Sequence, residues 1–193
     1  MLNMPILETS RLYIRPFKSD DLEATAGFWE YPEAYREELL AWSQAENKLL
    51  ARLHQPPYGD RAVVQKDTGR LIGSAGLVPC LNAFGLLPGF YATPSWPESC
   101  CNTTEMGLYY EFAPAYRRQG YASEAAGSLI DYAFNTLRLE RIIAETDYDN
   151  LASQGVMRRL GMQILRNPYP EPAWLQVVGA LKNPVCHAGQ NLL

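Results

Sequence analysis

A turn that contains a glycine and leads directly into a helical pattern is the part of this sequence best suited to chemistry. The glycine is Gly120, and beyond it apolar side chains recur at helical spacing as far as Leu137. A glycine lets the backbone approach a ligand, and the first N–H groups of a helix have no partner within that helix. Together with the positive end of the helix dipole, these groups can bind an anion. We therefore expect an anion-binding turn made of Arg117, Arg118, Gln119, Gly120, Tyr121, Ala122 and Ser123.

The flanking residues predict the elements that position this turn. Residues 105–112 alternate and are rich in aromatic side chains, which is typical of a strand, and Pro114 ends it. The other expected elements are strands at 11–15, 62–65, 71–78, 141–146, 162–165 and 174–181, and helices that begin near Ser19, Glu33 and Asn150. Strands and helices in this order predict an α/β fold, a mixed sheet with helices on both faces.

Residues 79–104 show neither helical nor strand periodicity, and prolines and aromatic residues are scattered through them. A stretch of this length without an element is usually functional when it lies in a compact domain. We expect a long loop that acts as a lid, lines a pocket or forms a subunit contact. The last of these leaves a homodimer open.

The composition limits the class of protein. A chain of 193 residues, of which 47% are hydrophobic and 20% charged, fits a single domain over residues 1–193. No apolar run reaches the length of a membrane span, and the N-terminus lacks the layout of a signal peptide. The formal net charge of −4 argues against nucleic-acid binding and mildly favours a cationic partner. We expect a cytoplasmic protein with no membrane or nucleic-acid partner.

The cysteines do not predict a metal site. Cys80, Cys100, Cys101 and Cys186 form no C-x-x-C pair, and the sequence contains only two histidines. These spacings do not suit a structural zinc ion, so we expect free thiols and no metal.

Three blocks of the sequence resemble the GNAT acyl-CoA N-acyltransferases. The turn at 117–122 fits the R/Q-x-x-G-x-G/A pattern, and the run GYASEAAGSLIDYAF is similar to the branch that acetylates ribosomal-protein N-termini and small amines. Residues 150–162 are similar to the family's N-x-x-S…K/R-L-G-F/M element, and residues 9–17 resemble its first strand. In this order the blocks are far more specific than the glycine turn alone.

The resemblance implies a GNAT-like fold, whose central, mostly antiparallel sheet is splayed between its fourth and fifth strands. It also implies acetyl-CoA as co-substrate, with the diphosphate at the turn and the pantetheine arm added like a strand to the splayed edge. By position, the backbone contacts to this arm would come from Tyr110 and Phe112. Asn150 would bond the pantetheine and cap its own helix.

Two carboxylates compete to be the general base that accepts the proton of the amine. Glu145 stands five residues before Asn150, as does the acid of similar N-terminal alanine acetyltransferases, and Glu105 lies near the position of the glutamate in the histone-acetylating branch. A carboxylate that faces a desolvated cleft has a raised pKa that suits a base, although either residue could be an ordinary salt-bridged glutamate. We favour Glu105, because Asp147 and Asp149 follow Glu145 closely.

The general acid is less clearly indicated. The family often places a tyrosine seven residues after its asparagine to protonate the leaving thiolate, and this sequence has Met157 there. A thiol with a pKa of about 8.5 can leave largely unassisted. Ser153 and Tyr148 are the alternatives.

We therefore expect an N-acetyltransferase in which a neutral primary amine attacks the thioester directly. The acceptor could be a protein N-terminus or a small-molecule amine. Aromatic residues upstream could line its pocket or pack in the core, namely Trp29, Tyr31, Tyr35 and Trp42. The alternative is a catalytically inactive CoA-binding regulatory or interaction module of the same fold.

Overall fold

The computed structural model describes residues 5–93 and 96–187. In this part of the chain the strands are β1 (Leu7–Glu8), β2 (Leu12–Arg15), β3 (Gly59–Gln65), β4 (Leu71–Asn82), β5 (Thr103–Phe112), β6 (Arg141–Thr146), β7 (Gln163–Arg166) and β8 (Val177–Lys182). The helices are α1 (Leu22–Thr25), α2 (Glu33–Arg52), α3 (Tyr121–Asp131), α4 (Leu151–Arg159) and α5 (Pro184–His187). The predicted α/β class is confirmed.

The described residues group into two compact units. The first contains residues 5–78 and 109–132, and the second contains 79–93, 96–108 and 133–187. The expectation of a single domain over residues 1–193 stays a prediction. No helix in the described part of the chain is long and apolar enough to cross a membrane.

In the first unit β1, β2, β3 and β4 are antiparallel neighbours in that order. α2 begins after Pro32, whose fixed φ suits a helix start, and it buries Leu40 and Leu50. The apolar core under this helix also contains Phe28, Trp29 and Ala62. α3 packs against β1 and β2.

In the second unit the strand order is β5, β6, β8 and β7. β6 and β7 are both antiparallel to β8, whereas β5 is parallel to β6. Among the described residues, β5 and β6 pair at one position, Gly107 with Ile143, which is compatible with the expected splay. The core of this unit contains Phe84, Leu87, Phe90, Ile143, Leu165, Leu175 and Val178.

The loop expected at 79–104 is shorter than predicted. β4 continues to Asn82, a 3₁₀ turn follows at Phe84–Leu86, and β5 begins at Thr103. Phe84 and Phe90 are buried and stack with ring centroids 5.1 Å apart. The aromatic residues that we assigned to a lid or pocket wall therefore include part of the second core. A subunit contact by this segment stays a prediction.

The C-terminal part also differs from the prediction. The last strand is β8 rather than 174–181, and Trp174 lies before it with 70% of its surface exposed. The chain beyond Lys182 forms α5 as far as His187. Residues 188–193 lie outside the described part of the chain.

Candidate functional site

The predicted phosphate-binding turn lies in the first unit, between β5 and α3. A 3₁₀ turn at Pro114–Tyr116 follows β5, and Gly120 has a φ of 84°, in the left-handed region that favours glycine. α3 begins at Tyr121, and its first turn closes with the Glu124 N–H bound to the Gly120 carbonyl oxygen at 3.0 Å. Three N–H groups precede that bond, those of Tyr121, Ala122 and Ser123, and an α-helix offers them no internal acceptor.

A brace from the segment that joins β1 to β2 fixes the first turn of α3. Glu124 Oε1 accepts hydrogen bonds from the Thr9 hydroxyl at 2.6 Å, the Arg11 N–H at 2.9 Å and the Ser10 hydroxyl at 3.0 Å. Its Oε2 accepts from Arg11 Nε at 2.6 Å. Burial alone would raise the pKa of Glu124, but these hydrogen bonds from Thr9, Arg11 and Ser10 hold that pKa below its usual value. The carboxylate is therefore kept charged and fully bonded.

Arg11 also orients the turn itself. Its Nη1 donates to the Gln119 carbonyl oxygen at 3.1 Å, and its guanidinium lies 4.3 Å from the centroid of the Tyr121 ring. In a trans peptide the C=O and the following N–H point in opposite directions. The Gly120 N–H is therefore directed away from Arg11. Neither Arg11 nor Glu124 was among the site residues that the sequence predicted.

These residues fit a diphosphate. The Ser123 hydroxyl oxygen, at the third position of α3, is buried and has no hydrogen-bond partner in the described part of the chain. A buried hydroxyl without a partner is costly, and a phosphate oxygen would satisfy it. Next to it are the N–H groups that open α3, and Gly120 provides the left-handed φ from which this helix begins. Arg117 and Arg118 are both exposed beside the turn.

The other predicted cofactor residues of the first unit have structural contacts. The Tyr121 side chain is buried, and its hydroxyl accepts from Gln65 Nε2 at 2.7 Å. Gln119 Nε2 donates to the Ala115 carbonyl oxygen, and Arg117 Nε donates to that of Phe112, each at 2.7 Å. Phe112 is buried, whereas Tyr110 and Ala122 are partly exposed.

In the second unit Glu105 belongs to a tight ion pair. Its two carboxylate oxygens accept from Nη2 and from Nε of Arg141, the latter at 3.0 Å. The Tyr91 hydroxyl lies 3.5 Å from Oε1, and the Arg141 guanidinium lies 4.2 Å from the centroid of the Phe90 ring. Both carboxylate oxygens are thus engaged by one guanidinium, and a contact with an amine would have to compete with this ion pair. The contacts therefore argue against our preference for Glu105.

Glu145 has different surroundings on β6. Asn82 Nδ2 donates to its Oε2 at 3.0 Å, and the Cys80 thiol also bonds it. Burial raises the pKa of Glu145, and these two hydrogen bonds only partly oppose the rise. In the described part of the chain no lysine or arginine forms a salt bridge with it. Asp147 and Asp149 are exposed beyond the end of the strand. Glu145 thus has the environment of a general base.

Asn150 and Ser153 lie together at the start of α4. Asn150 Oδ1 accepts the Ser153 N–H at 3.0 Å, so Asn150 caps this helix as expected. Met157 is fully buried and lies against Gly179, which makes it a core residue. The Tyr148 hydroxyl donates to the Asn167 carbonyl oxygen at 2.5 Å.

The four upstream aromatic residues divide between core and surface. Trp29 is 4% exposed and packs against Phe17 and Phe28. Tyr31, Tyr35 and Trp42 are exposed. Elsewhere among the described residues, no group of three His, Cys, Asp or Glu side chains could hold a metal ion, and none of the four cysteines forms a disulfide.

Comparison with known proteins identifies the family. A family model described as an acetyltransferase (GNAT) domain matches residues 11–163. The uncharacterised N-acetyltransferase YoaA of Bacillus subtilis is 31% identical over 166 residues, which cover 82% of this chain and 83% of that protein. The FsC-acetyl coenzyme A-N(2)-transacetylase of Aspergillus fumigatus is 28% identical over 185 residues, which cover 87% of this chain and 70% of that protein.

A solved structure agrees at the level of the fold. The ribosomal-protein-S5-alanine acetyltransferase of Vibrio fischeri superposes with a TM-score of 0.61 at 18% identity, over 93% of this chain and 97% of that chain.

Proposed function

This chain belongs to the GNAT family of acetyltransferases, and we propose that it transfers an acetyl group from acetyl-CoA to a primary amine. The observation that carries the choice of donor is the turn before α3. It combines N–H groups without an internal acceptor, a left-handed glycine and the buried hydroxyl of Ser123, which has no hydrogen-bond partner among the described residues. The diphosphate of coenzyme A has the charge and the acceptor oxygens that such a turn binds.

Each predicted cofactor residue has a part in this proposal. The N–H groups of Gly120, Tyr121, Ala122 and Ser123 bind the diphosphate, and Arg117 and Arg118 add positive charge. The side chain of Tyr121 instead anchors α3 through Gln65. Gln119 contributes through its carbonyl group, which Arg11 holds. We propose that backbone groups of Tyr110 and Phe112 bond the pantetheine arm and that Asn150 contacts it from the start of α4.

The chemical step follows from the environment of Glu145. The amine nitrogen attacks the thioester carbon, the carbon–sulfur bond breaks, and the thiolate leaves. Glu145 accepts the proton that the amine nitrogen loses, directly or through a water molecule. Its raised pKa brings it closer to the pH at which such a transfer is effective. The departing thiolate is stable enough to leave without an assigned acid, and Ser153 is the candidate for assistance.

Two variants test the assignment of the base. Glu145→Gln should lower kcat by about 10²-fold to 10⁴-fold, because it removes a general base, with little change in coenzyme A affinity. Glu105→Gln is the matched control, since it removes a carboxylate of the same unit that is already paired with Arg141. The readout is thiol release from acetyl-CoA with a panel of primary amines, together with calorimetric titration of coenzyme A. A larger loss of kcat in Glu105→Gln would reverse the assignment.

The same assay separates the enzyme from an inactive module of the same fold. An active transferase releases thiol only when an amine is present. Tight coenzyme A binding without release for any amine of the panel would favour the module. The acceptor proposed so far is a primary amine of a protein N-terminus or of a small molecule.

A further inference from the structure

One face of the first unit collects polar side chains that the transfer step does not use. In the β3–β4 pair, Asp60 is opposite Gly76 and Ala62 is opposite Ser74. Side chains alternate along a strand, so Asp60 and Ser74 are diagonal neighbours on the same face. Ala62 shares this face and packs with Trp29, which brings the indole to the same side.

Two residues of β5 join this face. A Cβ atom placed on Gly73 would lie 2.8 Å from the Phe112 ring, so Phe112 is on the same face as Gly73. Ser74 follows Gly73 and therefore faces the other way. Because side chains alternate along a strand, Glu111 and Tyr109 lie on the face opposite Phe112, which is the Ser74 face. The Tyr109 hydroxyl donates to Glu111 Oε2 at 2.7 Å, and the Trp29 side chain also bonds Tyr109. The charge of Asp60 acts on the same hydroxyl.

This face lacks donors that its oxygens need. Asp60 Oδ1 and Ser74 Oγ are buried, and neither has a hydrogen-bond partner in the described part of the chain. Ser74 is 0% exposed, whereas Asp60, Tyr109 and Glu111 are each partly exposed, so solvent reaches the group. An unpaired buried oxygen costs free energy, and a ligand with several N–H donors would remove that cost.

The charge of this face selects a cation. Asp60 and Glu111 are both carboxylates, and the negative charge of Glu46 from α2 acts both on Asp60 and on Arg61. The neighbouring Arg61 points to the opposite face by alternation, and its Nη2 donates to Asn47 Oδ1 at 3.0 Å. The rings of Trp29 and Tyr109 add surfaces that attract cations.

We propose that Asp60, Ser74, Tyr109 and Glu111 bind an ammonium group of the acceptor substrate. This rests on the proposed function and specifies its acceptor. A carboxylate stabilises a protonated amine, so an ammonium bound here stays charged and cannot attack the thioester. The amine that reacts is therefore a second one. The acceptor class is a molecule with two amino groups, one bound as a cation and the other acetylated.

Kinetics with two matched amines test this proposal. The probes are 1,4-diaminobutane and 1-aminobutane, which have the same carbon chain and differ by the second amino group. We expect kcat/KM of the native protein to be about 10-fold to 100-fold higher for the diamine, because a factor of this size corresponds to the free energy of one hydrogen bond to a charged group. Asp60→Asn should lose most of this preference, and Asp67→Asn, which removes an exposed carboxylate of the β3–β4 turn, should keep it. Ser74→Ala should reduce it less than Asp60→Asn.

The results distinguish failure of this site from failure of the transferase. If the native protein acetylates both amines equally, or Asp60→Asn retains the preference, the ammonium site is wrong and acetyl transfer stands. If neither amine is acetylated, calorimetric titration of 1,4-diaminobutane at physiological ionic strength decides about the site alone. Binding by the native protein and by Asp67→Asn that is absent in Asp60→Asn supports the site, and no binding by the native protein overturns it.

Discussion

Replacing Asp60 with asparagine should stabilise the folded protein at neutral pH, and the gain should disappear in acid. Burial, together with the nearby charge of Glu46, raises the pKa of Asp60 from a usual 3.8 to about 6. Burial disfavours the charged form of a carboxyl group, so the folded protein is destabilised once Asp60 ionises. The charge of Asp60 interacts with that of Glu46 from α2 and with the Tyr109 hydroxyl, and Tyr109 is in turn bonded to Glu111 and Trp29.

The size of the effect follows from that shift. A pKa that rises by about 2 units in the folded state corresponds to ~3 kcal/mol at 1.36 kcal/mol per unit. Because folding raises the pKa of Asp60, the native protein has this ~3 kcal/mol of stability in full below pH ~4 and loses it as the pH rises through ~6. Asparagine does not ionise. The free energy of unfolding of Asp60→Asn, relative to the native protein, should therefore increase by ~3 kcal/mol between pH ~4 and pH ~7.

Urea unfolding followed by circular dichroism measures this difference across the pH range. Asp67→Asn is the matched control, because it removes a carboxylate from an exposed turn and should change the free energy of unfolding by less than ~0.5 kcal/mol. A difference between Asp60→Asn and the native protein that stays constant from pH ~4 to pH ~8 would refute the reasoning from burial. A gain in stability with a loss of diamine preference would mark Asp60 as a residue kept for binding rather than for folding.

Two further predictions concern the turn before α3. Gly120→Val should reduce coenzyme A affinity by more than 100-fold as measured by calorimetry, roughly the loss of two charged hydrogen bonds. A β-branched residue is strained at a φ of 84° and its Cβ would lie against Arg11, so the turn and its N–H groups would shift. Gly69→Val, at another left-handed glycine with open space around it, should bind normally, and equal losses would contradict the assignment. Glu124→Ala should lower the free energy of unfolding by ~1–2 kcal/mol and weaken coenzyme A binding about tenfold, since Arg11 would no longer be held against Gln119. Glu8→Ala is the control, because it removes an exposed ion pair with Lys66 and should leave coenzyme A binding unchanged. If Glu124→Ala binds coenzyme A as tightly as Glu8→Ala does, the brace does not order the turn.

The glycine turn and the helix that follows it could be predicted because their signals are local, whereas phosphate binding at this turn stays a prediction. Gly120 stands next to the residue that begins α3, and the apolar spacing after it is that of one helix. The brace could not be predicted, because Arg11 and Glu124 are 113 residues apart and the local sequence around each residue does not indicate its partner. The cap at Asn150 was again a local pattern, and the structure contains it.

The choice between the two glutamates shows the same limit. Both stand on strands with similar neighbours, so their local sequences are equally compatible with a base. The difference comes from partners that are distant in sequence: Arg141, 36 residues after Glu105, and Asn82, 63 residues before Glu145. The polar face around Asp60 was missed for a related reason, since its members come from β3, β4 and β5 and only strand register brings them together.

The most direct test of the account is whether a diphosphate binds at the start of α3. Amide resonances of isotopically labelled protein can be recorded with coenzyme A and with pantetheine, which lacks the diphosphate. The account predicts that the N–H signals of Gly120, Tyr121, Ala122 and Ser123 shift on addition of coenzyme A and stay in place with pantetheine. Unchanged signals at these four residues in the presence of saturating coenzyme A would contradict it.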